Sequence, residues 1–300
     1  MLKAPLYLLT DAAHFDVSYT INPWMTPHDW RRNERENKRA ALTASRALSQ
    51  ALEGAGARLI VLDGRPGLPD MVFPANAAIV LDRRALVARF RYAERRGEER
   101  HFLAAFRNLR RQGLLDEVRA FPEDCWQEGA GDCIWDASRQ TFWAGFGPRS
   151  MRAAIPIIED FFGVPVTPLE LVSDRFYHLD VCFLALPGGE IVYYPPAFSK
   201  AALANIKDTA PADLLIEASA EDAERFSVNA VNIGKTVIMA APSARLRGQL
   251  VERGYEVKSL NLKPFMMAGG GAYCMTLRLD RVSSIAESRA QHAIPAALAG

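Results

Sequence analysis

Residues 227–262 read SVNAVNIGKTVIMAAPSARLRGQLVERGYEVKSLNL, and the pattern of this stretch sets the fold class. Two short apolar segments flank Gly234-Lys235, which predicts two strands joined by a tight hairpin. A helix and then a third strand are expected to follow, so that the sheet packs against the helix. These elements are expected over Ser227–Ile233, Thr236–Ala240, Ser243–Arg253 and Glu256–Leu262.

Similar units recur along the chain, although no residue-level repeat is visible. Further strands are expected over Leu6–Thr10, Arg58–Asp63, Ala77–Asp82, Asp132–Asp136, Gln140–Trp143, Tyr177–Leu186, Glu190–Tyr194 and Cys274–Leu279. Helices are expected over Arg31–Gly54, Glu98–Arg111 and Ser150–Phe162. Because no Pro/Ser-rich linker divides the chain, we expect one α/β domain over residues 1–300. A doubly wound nucleotide-binding fold is less favoured, since no GxGxxG follows the first strand and the hairpins imply antiparallel pairing.

Composition and charge exclude several classes of protein. The 300 residues are 49% hydrophobic and 24% charged, which is ordinary for a globular chain and excludes disorder, a collagen-like repeat and a coiled coil. The formal net charge is +1, so there is no basic excess to attract a nucleic-acid backbone or a membrane surface. We therefore expect neither a nucleic acid nor a membrane as a partner.

The cysteines and the N-terminal segment indicate a reducing compartment. Cys125, Cys133, Cys182 and Cys274 are too few for a disulfide scaffold, and no pair has CxxC spacing. The N-terminal segment lacks the apolar run of a signal peptide, and no apolar stretch is long enough to span a membrane. A cytoplasmic location is therefore expected.

Cys274 is the candidate nucleophile. It follows Gly269-Gly270-Gly271 and opens a predicted strand. Glycines let the backbone approach a ligand closely and can direct N–H groups at an anion, which would stabilise a thiolate. A small hydrophobic side chain in a core is the alternative interpretation. The other three cysteines have no comparable neighbourhood and are interpreted as structural.

His178 is the candidate general acid/base. It lies near the start of a predicted strand, and Asp180 follows two residues later, so both side chains are expected on one face. A carboxylate beside an imidazole fixes its tautomer and raises its basicity. An inert surface pair has the same spacing, and the residues alone leave both interpretations open.

Two further groups of charged residues are candidates for contacts with a charged substrate. Glu128 and Asp132 flank a flexible turn, which suits a carboxylate clamp on a planar guanidinium, or else a solvated loop. Arg89, Arg91 and Arg95 follow a predicted strand. They are surface charges, or one of them grips a substrate carboxylate in bidentate fashion.

Five motifs occur in a specific order along the chain. They are Asn22-Pro23-Trp24-Met25, Phe73-Pro74-Ala75-Asn76-Ala77, Glu128-Gly129-Ala130-Gly131-Asp132, His178-Leu179-Asp180 and the glycine-rich segment that ends at Cys274. As a set they resemble the guanidine-modifying superfamily, the penteins, which includes arginine deiminase, dimethylarginine dimethylaminohydrolase, amidinotransferase and arginine dihydrolase. The resemblance covers essentially the whole chain and is closest to arginine dihydrolase domains.

The resemblance implies a five-bladed α/β propeller with a central active-site channel, and chemistry without a metal or other cofactor. By position, Cys274 would be the nucleophile, His178 the general acid/base, and Glu128 the carboxylate that binds the guanidinium and pairs with the histidine. The other matching positions would contact the substrate or support such contacts: Asn22, Asn76, Arg95, Asp132 and Asp180.

Asn76 is a departure from part of the superfamily. Deiminases and dimethylarginine hydrolases usually carry aspartate at this position. An amide both donates and accepts hydrogen bonds, but it cannot supply a second negative charge to the guanidinium. The residue therefore favours the dihydrolase branch, which has asparagine there.

The expected activity is hydrolysis of the guanidine group of arginine or a close analogue. It would proceed through a covalent Cys-thiouronium intermediate and release ammonia with citrulline or ornithine. The alternatives are hydrolysis of methylarginine to citrulline and a methylamine, then amidine transfer to an amine acceptor, then a non-catalytic propeller that binds another macromolecule. The sequence leaves open the preferred guanidine compound, the room for N-methyl groups and homo-oligomer formation.

Overall fold

The computed structural model describes residues 4–286 and residue 288. Its strands are β1 (Leu6–Thr10), β2 (Arg58–Leu62), β3 (Ala78–Leu81), β4 (Arg84–Val87), β5 (Glu117–Ala120), β6 (Cys133–Asp136), β7 (Thr141–Phe146), β8 (Val166–Glu170), β9 (Phe183–Ala185), β10 (Ile191–Tyr193), β11 (Leu215–Glu217), β12 (Val231–Ile233), β13 (Thr236–Ala240), β14 (Glu256–Leu260) and β15 (Leu277–Arg278). The helices are α1 (Pro27–Arg32), α2 (Glu34–Gly54), α3 (Ala93–Arg111), α4 (Ala154–Phe162), α5 (Lys200–Thr209), α6 (Ala220–Glu224), α7 (Ala244–Glu252) and α8 (Lys263–Met266). Short 3-10 turns lie at Pro69–Val72, Pro74–Ala77, Gly129–Gly131, Leu179–Val181, Pro195–Ala197 and Ala212–Leu214.

One topology repeats around the molecule. Within the described residues, five sheets of three strands have the orders β15-β1-β2, β3-β4-β5, β6-β7-β8, β9-β10-β11 and β12-β13-β14. In each sheet the middle strand is antiparallel to its first neighbour and parallel to its second. A parallel pair needs a crossover, and helices supply it in all five sheets. The expected five-bladed α/β propeller is confirmed.

The ring closes because β15, late in the chain, pairs with β1 at its start. Tyr7 lies opposite Arg278, and Leu8 lies opposite Leu277. The first sheet therefore cannot form until both ends of the chain are brought together, which makes it the most non-local part of the fold.

The quoted unit over residues 227–262 folds as predicted in its middle and is shorter at its ends. β13 has the expected bounds, and Ser243 caps α7 by accepting a hydrogen bond from the backbone N–H of Leu246. The first strand begins only at Val231, because Ser227–Ala230 form a turn. This turn contributes to the site described below.

Helix boundaries were predicted less accurately. The single helix expected over Arg31–Gly54 is divided at Asn33 into α1 and α2. The helix expected from Glu98 begins at Ala93, so it includes Arg95. The expectation was wrong because Arg95 and Glu98 are buried, against the usual pattern of a charged helix start.

Four strands were not predicted: β4, β5, β8 and β11. The hairpin between β3 and β4 turns at Asp82 and Arg83, both with positive φ, although glycine or asparagine is the usual signal for such a turn. β8 contains Pro168, and β11 is three residues long, so neither has a clear alternating pattern.

Each long helix buries one apolar face against its sheet. α2 buries Leu48 and Leu52, and α3 buries Phe102, Phe106 and Leu109. Each of these side chains stabilises the fold by roughly 1.5–3 kcal/mol when fully buried. Over the described residues, no helix is both long enough and apolar enough to cross a membrane.

Candidate active site

Five turns meet at one end of the central channel. Each of them leads into the inner strand of one sheet, namely β3, β6, β9, β12 or β15, and each carries polar residues. The turns bring together side chains that are distant in sequence: Asn76, Glu128, Asp132, His178, Asp180, Asn229 and Cys274. Exposure is only 2% for Cys274, 1% for His178 and 0% for Glu128, so the group is shielded from solvent.

His178 pairs with Glu128. Its Nε2 lies 2.7 Å from Glu128 Oε2 and 4.0 Å from Asp132 Oδ2. The same oxygen of Glu128 accepts a hydrogen bond of 2.8 Å from Arg149 Nη1. Burial opposes ionisation of Glu128, but Arg149 and His178 outweigh it and hold the pKa of this carboxyl well below its usual range. Glu128 is therefore a carboxylate that fixes the position of the imidazole.

The structure does not show the expected pairing of His178 with Asp180. The predicted strand over Tyr177–Leu186 is wrong in its first half, because His178 precedes the 3-10 turn Leu179–Val181 and β9 begins at Phe183. The two side chains therefore do not alternate along a strand. Asp180 contacts the cysteine instead.

Cys274 lies in a polar cage formed by Asp180 and Asn229. Its thiol donates to Asp180 Oδ2 at 3.0 Å, and Asn229 Nδ2 donates to the sulfur at 3.0 Å. Asn229 also accepts from the backbone N–H of Cys274, at 3.2 Å. Cys274 precedes β15 by a short turn rather than opening a strand as predicted.

Both members of the thiol–carboxyl pair have altered acidity. Burial, together with the nearby charge of Asp180, raises the pKa of the Cys274 thiol well above its usual value. Burial also raises the pKa of Asp180 to about 7. In this structure the cysteine is therefore a protonated thiol, and its activation requires a positive charge nearby.

Arg95 fixes the orientation of the Asn76 amide. Its Nη1 donates to Asn76 Oδ1 at 2.8 Å, while Nε and Nη2 donate to the two oxygens of Glu98, each at 2.9 Å. The Asn76 amide nitrogen consequently faces Gly131 and the backbone oxygen of Glu128, 3.5 Å away. A Cβ at Gly131 would lie 2.1 Å from this nitrogen, so the turn requires glycine here.

Asn22 holds the glycine-rich loop. Its Nδ2 donates to the Ala268 oxygen at 3.1 Å, and its Oδ1 accepts from Trp24 N at 2.9 Å. Gly269 has a φ of +86°, and a Cβ there would lie 2.5 Å from the Tyr177 hydroxyl. The loop therefore needs glycine for close packing and for its backbone conformation.

The candidate arginines separate into one that reaches the site and two that do not. Arg89 pairs with Glu99 at 2.7 Å. The exposed guanidinium of Arg91 donates to the Pro148 oxygen, while its backbone N–H donates to Glu128 Oε1 at 3.1 Å. Of the three, Arg95 alone places its guanidinium among the site residues.

Asp132 lies behind the histidine. Its Oδ2 accepts from Ser150 Oγ at 2.6 Å, and its Oδ1 accepts from Leu179 N at 2.9 Å. Burial raises the pKa of this carboxyl to about 6. Asp132 therefore links the turns that carry Glu128 and His178.

Several site residues were missed by sequence reasoning: Asp70, Glu98, Arg149, Ser150 and Asn229. Arg149 is nearly fully buried, with its guanidinium over the rings of Tyr92 and Tyr177. Asp70 is buried beside Arg95, and its Oδ1 has no hydrogen-bond partner among the described residues. Asp70 and Glu98 lie at the ends of unusual stretches but were assigned no role, whereas Arg149, Ser150 and Asn229 have no distinctive neighbours in sequence.

A ring of five α/β units, with cysteine, histidine and carboxylates gathered where the turns meet, defines the class of the guanidine-modifying propellers, the penteins. The chain matches the family described as "N,N dimethylarginine dimethylhydrolase, eukaryotic" over residues 16–281, and it belongs to this family.

The chain is similar to curated proteins with two different activities. The chain is 37% identical over 272 residues to the bifunctional arginine dihydrolase/ornithine cyclodeaminase ArgZ of Synechocystis, covering 91% of this chain and 37% of ArgZ. It is 34% identical to the N(G),N(G)-dimethylarginine dimethylaminohydrolase of Mycobacterium tuberculosis, covering 91% of this chain and 85% of that protein. The chain thus spans little more than a third of ArgZ.

A solved structure supports the same assignment. The N-terminal domain of ArgZ, a Cys-to-Ser mutant bound to substrate, superposes with a TM-score of 0.85 at 35% identity. The match covers 93% of this chain and 99% of that domain. The fold extends over nearly the whole of both chains.

Proposed function

We propose that this chain is a hydrolase of C–N bonds in linear amidines and that its substrate is arginine or a close analogue. The observation that carries the proposal is the thiol of Cys274, held 3.0 Å from the Asp180 carboxyl beside the buried pair of His178 and Glu128. The relatives named above, an arginine dihydrolase and a dimethylarginine dimethylaminohydrolase, support it.

We also propose that the domain spans residues 1–300. We propose further that it works in the cytoplasm, and the four free, buried cysteines support this location.

Binding of a guanidinium would change the protonation of the site. A guanidinium next to Asp180 favours the ionised carboxylate, because an opposite charge lowers the pKa of a carboxyl. The same positive charge lowers the pKa of Cys274. The substrate thus supplies the charge that the thiol needs to ionise, and the nucleophile is activated only when substrate is bound.

The α-carboxylate and α-ammonium groups of an arginine substrate would lie next to buried residues of both charges. Arg95 and Arg149 would contact the substrate carboxylate through their remaining N–H groups, since each already donates to protein oxygens. The Asp70 oxygen that lacks a partner among the described residues would accept from the substrate ammonium. Asn22 would act indirectly, by holding the glycine-rich loop that precedes the cysteine.

The reaction would run through a covalent adduct. The Cys274 thiolate attacks the guanidine carbon, and the C–N bond breaks while His178 delivers a proton to the departing ammonia. This leaves an S-alkylthiouronium on the enzyme. His178 then takes a proton from water, which attacks the same carbon, and loss of the thiolate releases citrulline.

Asn76 supports a second round that yields ornithine. Citrulline is neutral, and its ureido oxygen needs a hydrogen-bond donor rather than a second carboxylate. Because Arg95 occupies the amide oxygen of Asn76 and the Glu128 backbone oxygen accepts one N–H of its amide nitrogen, the second N–H would be the donor to the ureido oxygen. The second round consumes another water and releases ammonia and carbon dioxide, so arginine and two waters give ornithine, two ammonia and carbon dioxide.

A second candidate function is hydrolysis of dimethylarginine, which the family match favours. It would release citrulline and dimethylamine and requires room for the two methyl groups beside the sulfur.

A substrate panel tests the proposal and separates the candidates. Purified enzyme is incubated with arginine, mono- and dimethylarginine, agmatine and citrulline, and ammonia, methylamines and amino-acid products are quantified. We expect arginine to be converted to ornithine, and citrulline to be accepted as a substrate. Turnover of dimethylarginine alone would replace the first candidate by the second, and absence of turnover with every compound would contradict both.

A further inference from the structure

The end of the channel opposite the candidate active site opens into a cavity of about 510 Å³. The active-site turns precede the inner strands, whereas this cavity is lined by residues at or beyond the other ends of those strands. Trp135 and Asp136 lie at the end of β6, Leu186 follows β9, and Arg281 follows β15. The cavity is thus separate from the site of Cys274, at the other end of the same strands.

The walls of the cavity carry more positive than negative charge. Four arginines line it against two aspartates: Arg58, Arg83, Arg278, Arg281, Asp136 and Asp280. Clefts lined by one sign of charge concentrate ligands of the opposite sign. The cavity therefore favours an anion.

Two of the four arginines already have carboxylate partners. Arg83 pairs with Asp116 at 2.7 Å, and Arg278 Nε donates to Asp280 at 2.9 Å. Arg58 and Arg281, by contrast, make no ion pair with any residue that the structure describes. They are the two cations that remain available to a ligand.

A hydrogen bond to the backbone holds Arg281 in a position to bind an anion. Its Nη1 donates to the backbone oxygen of Trp135 at 2.8 Å, which fixes the side chain in the wall of the cavity. Trp135 is 4% exposed, so Arg281 is anchored to a buried residue of β6.

The remaining wall is apolar. It consists mainly of Leu6, Leu114, Leu186, Pro187 and Leu279. Charged groups combined with an apolar surface, in a volume within the ~300–1,000 Å³ of small-molecule sites, suit a ligand that has both a charged and an apolar part.

We propose that this cavity is a second ligand site, which binds a small organic anion with an apolar body. Arg58 and Arg281 bind its carboxylate or phosphate group, and the leucine wall contacts its hydrocarbon part. The site does not depend on the function proposed for Cys274, because it shares no residue with the catalytic group.

Isothermal titration calorimetry with octanoate tests the site. We expect saturable binding at one site per chain, at least tenfold tighter than that of octylamine, which has the same tail and the opposite charge. Inorganic phosphate, which has no apolar body, should bind at least tenfold more weakly than octanoate. Arg281→Gln and Arg58→Gln should each weaken octanoate binding about tenfold, as expected for loss of a charge-assisted contact.

Arg107→Gln is the matched control, because Arg107 is an exposed arginine outside the cavity. It should leave the affinity for octanoate unchanged. Thermal melting of each variant verifies folding, and the exposed Arg58 provides a variant that removes no buried contact.

A competition experiment separates this site from the catalytic one. Octanoate is titrated into Cys274→Ser protein with and without saturating L-arginine, and its affinity should be the same in both. A loss of affinity with L-arginine would place octanoate at the catalytic end and overturn the proposal. Equal binding of octylamine, or unchanged affinity in both arginine variants, would overturn it as well. Failure of L-arginine to bind would contradict the proposed function and leave the second site standing.

Discussion

Replacement of Asn76 by aspartate is the change that separates one round of hydrolysis from two. In this structure the amide oxygen accepts from Arg95 at 2.8 Å, and the amide nitrogen points toward Gly131 and the Glu128 carbonyl. Aspartate would keep the first contact. Its second oxygen would then face the Glu128 oxygen, 3.5 Å from the present nitrogen, with no proton between them.

The expected effect on each substrate follows from this geometry. A bound ureido oxygen would lose its donor and meet an acceptor, which costs about 1–3 kcal/mol for an unsatisfied buried group. That corresponds to a loss of roughly 5- to 150-fold in kcat/KM for citrulline. Arginine would lose little, because its guanidinium gains a carboxylate partner. Asn76→Asp should therefore accumulate citrulline, while the wild type produces ornithine.

Mass spectrometry of products, with arginine and citrulline as separate substrates, measures this ratio. Asn108→Asp is the matched control, since it adds the same charge on the exposed surface of α3 and should leave the product ratio unchanged. Citrulline as the sole product of the wild type, or an identical product ratio in Asn76→Asp, would refute the reasoning.

Three further perturbations test other parts of the site. Cys274→Ser should abolish turnover and keep the fold, because a serine hydroxyl does not ionise near neutral pH. Ammonia release measures turnover and circular dichroism verifies the fold. Activity near the wild-type level would remove Cys274 from the mechanism. His178→Ala should lower kcat by about 10²–10⁴-fold by removing both proton transfers, whereas Glu128→Gln should lower kcat less, because the imidazole remains but loses the charged partner that fixes it; steady-state kinetics that show a larger loss of kcat in Glu128→Gln than in His178→Ala would contradict this order. Asp180→Asn should become more stable relative to the wild type as pH rises from about 5 to 8. Burial raises the pKa of Asp180 to about 7, so the folded wild type binds a proton that the unfolded chain has released above about pH 4, and its stability falls by roughly 3 kcal/mol between pH 5 and 8 as that proton is lost. Thermal melting across this range measures the difference, and parallel curves for the two proteins would contradict it.

The sequence by itself specified most of the local units and the candidate residues of the site. Short apolar runs around a hairpin, followed by a helix, specify strand–hairpin–helix–strand units, because side-chain periodicity acts within one element. The five motifs indicated the superfamily, and the structure brings their polar residues together. Cys274, His178 and Glu128 were each singled out as candidates from their own neighbours in the chain, and the family resemblance supplied their expected roles.

The tertiary structure alone decided which side chains are partners. Asp180 lies two residues from His178 in sequence, yet it contacts Cys274, and His178 pairs with Glu128. The sequence around Arg149 and around Asn229 likewise gives no indication of the contacts that these residues make in the site. The physical reason is that β15 pairs with β1 to close the ring, and only this closure brings the five turns to one end of the channel. Periodicity along the chain specifies an element, but contacts between turns depend on how all five sheets pack around the axis.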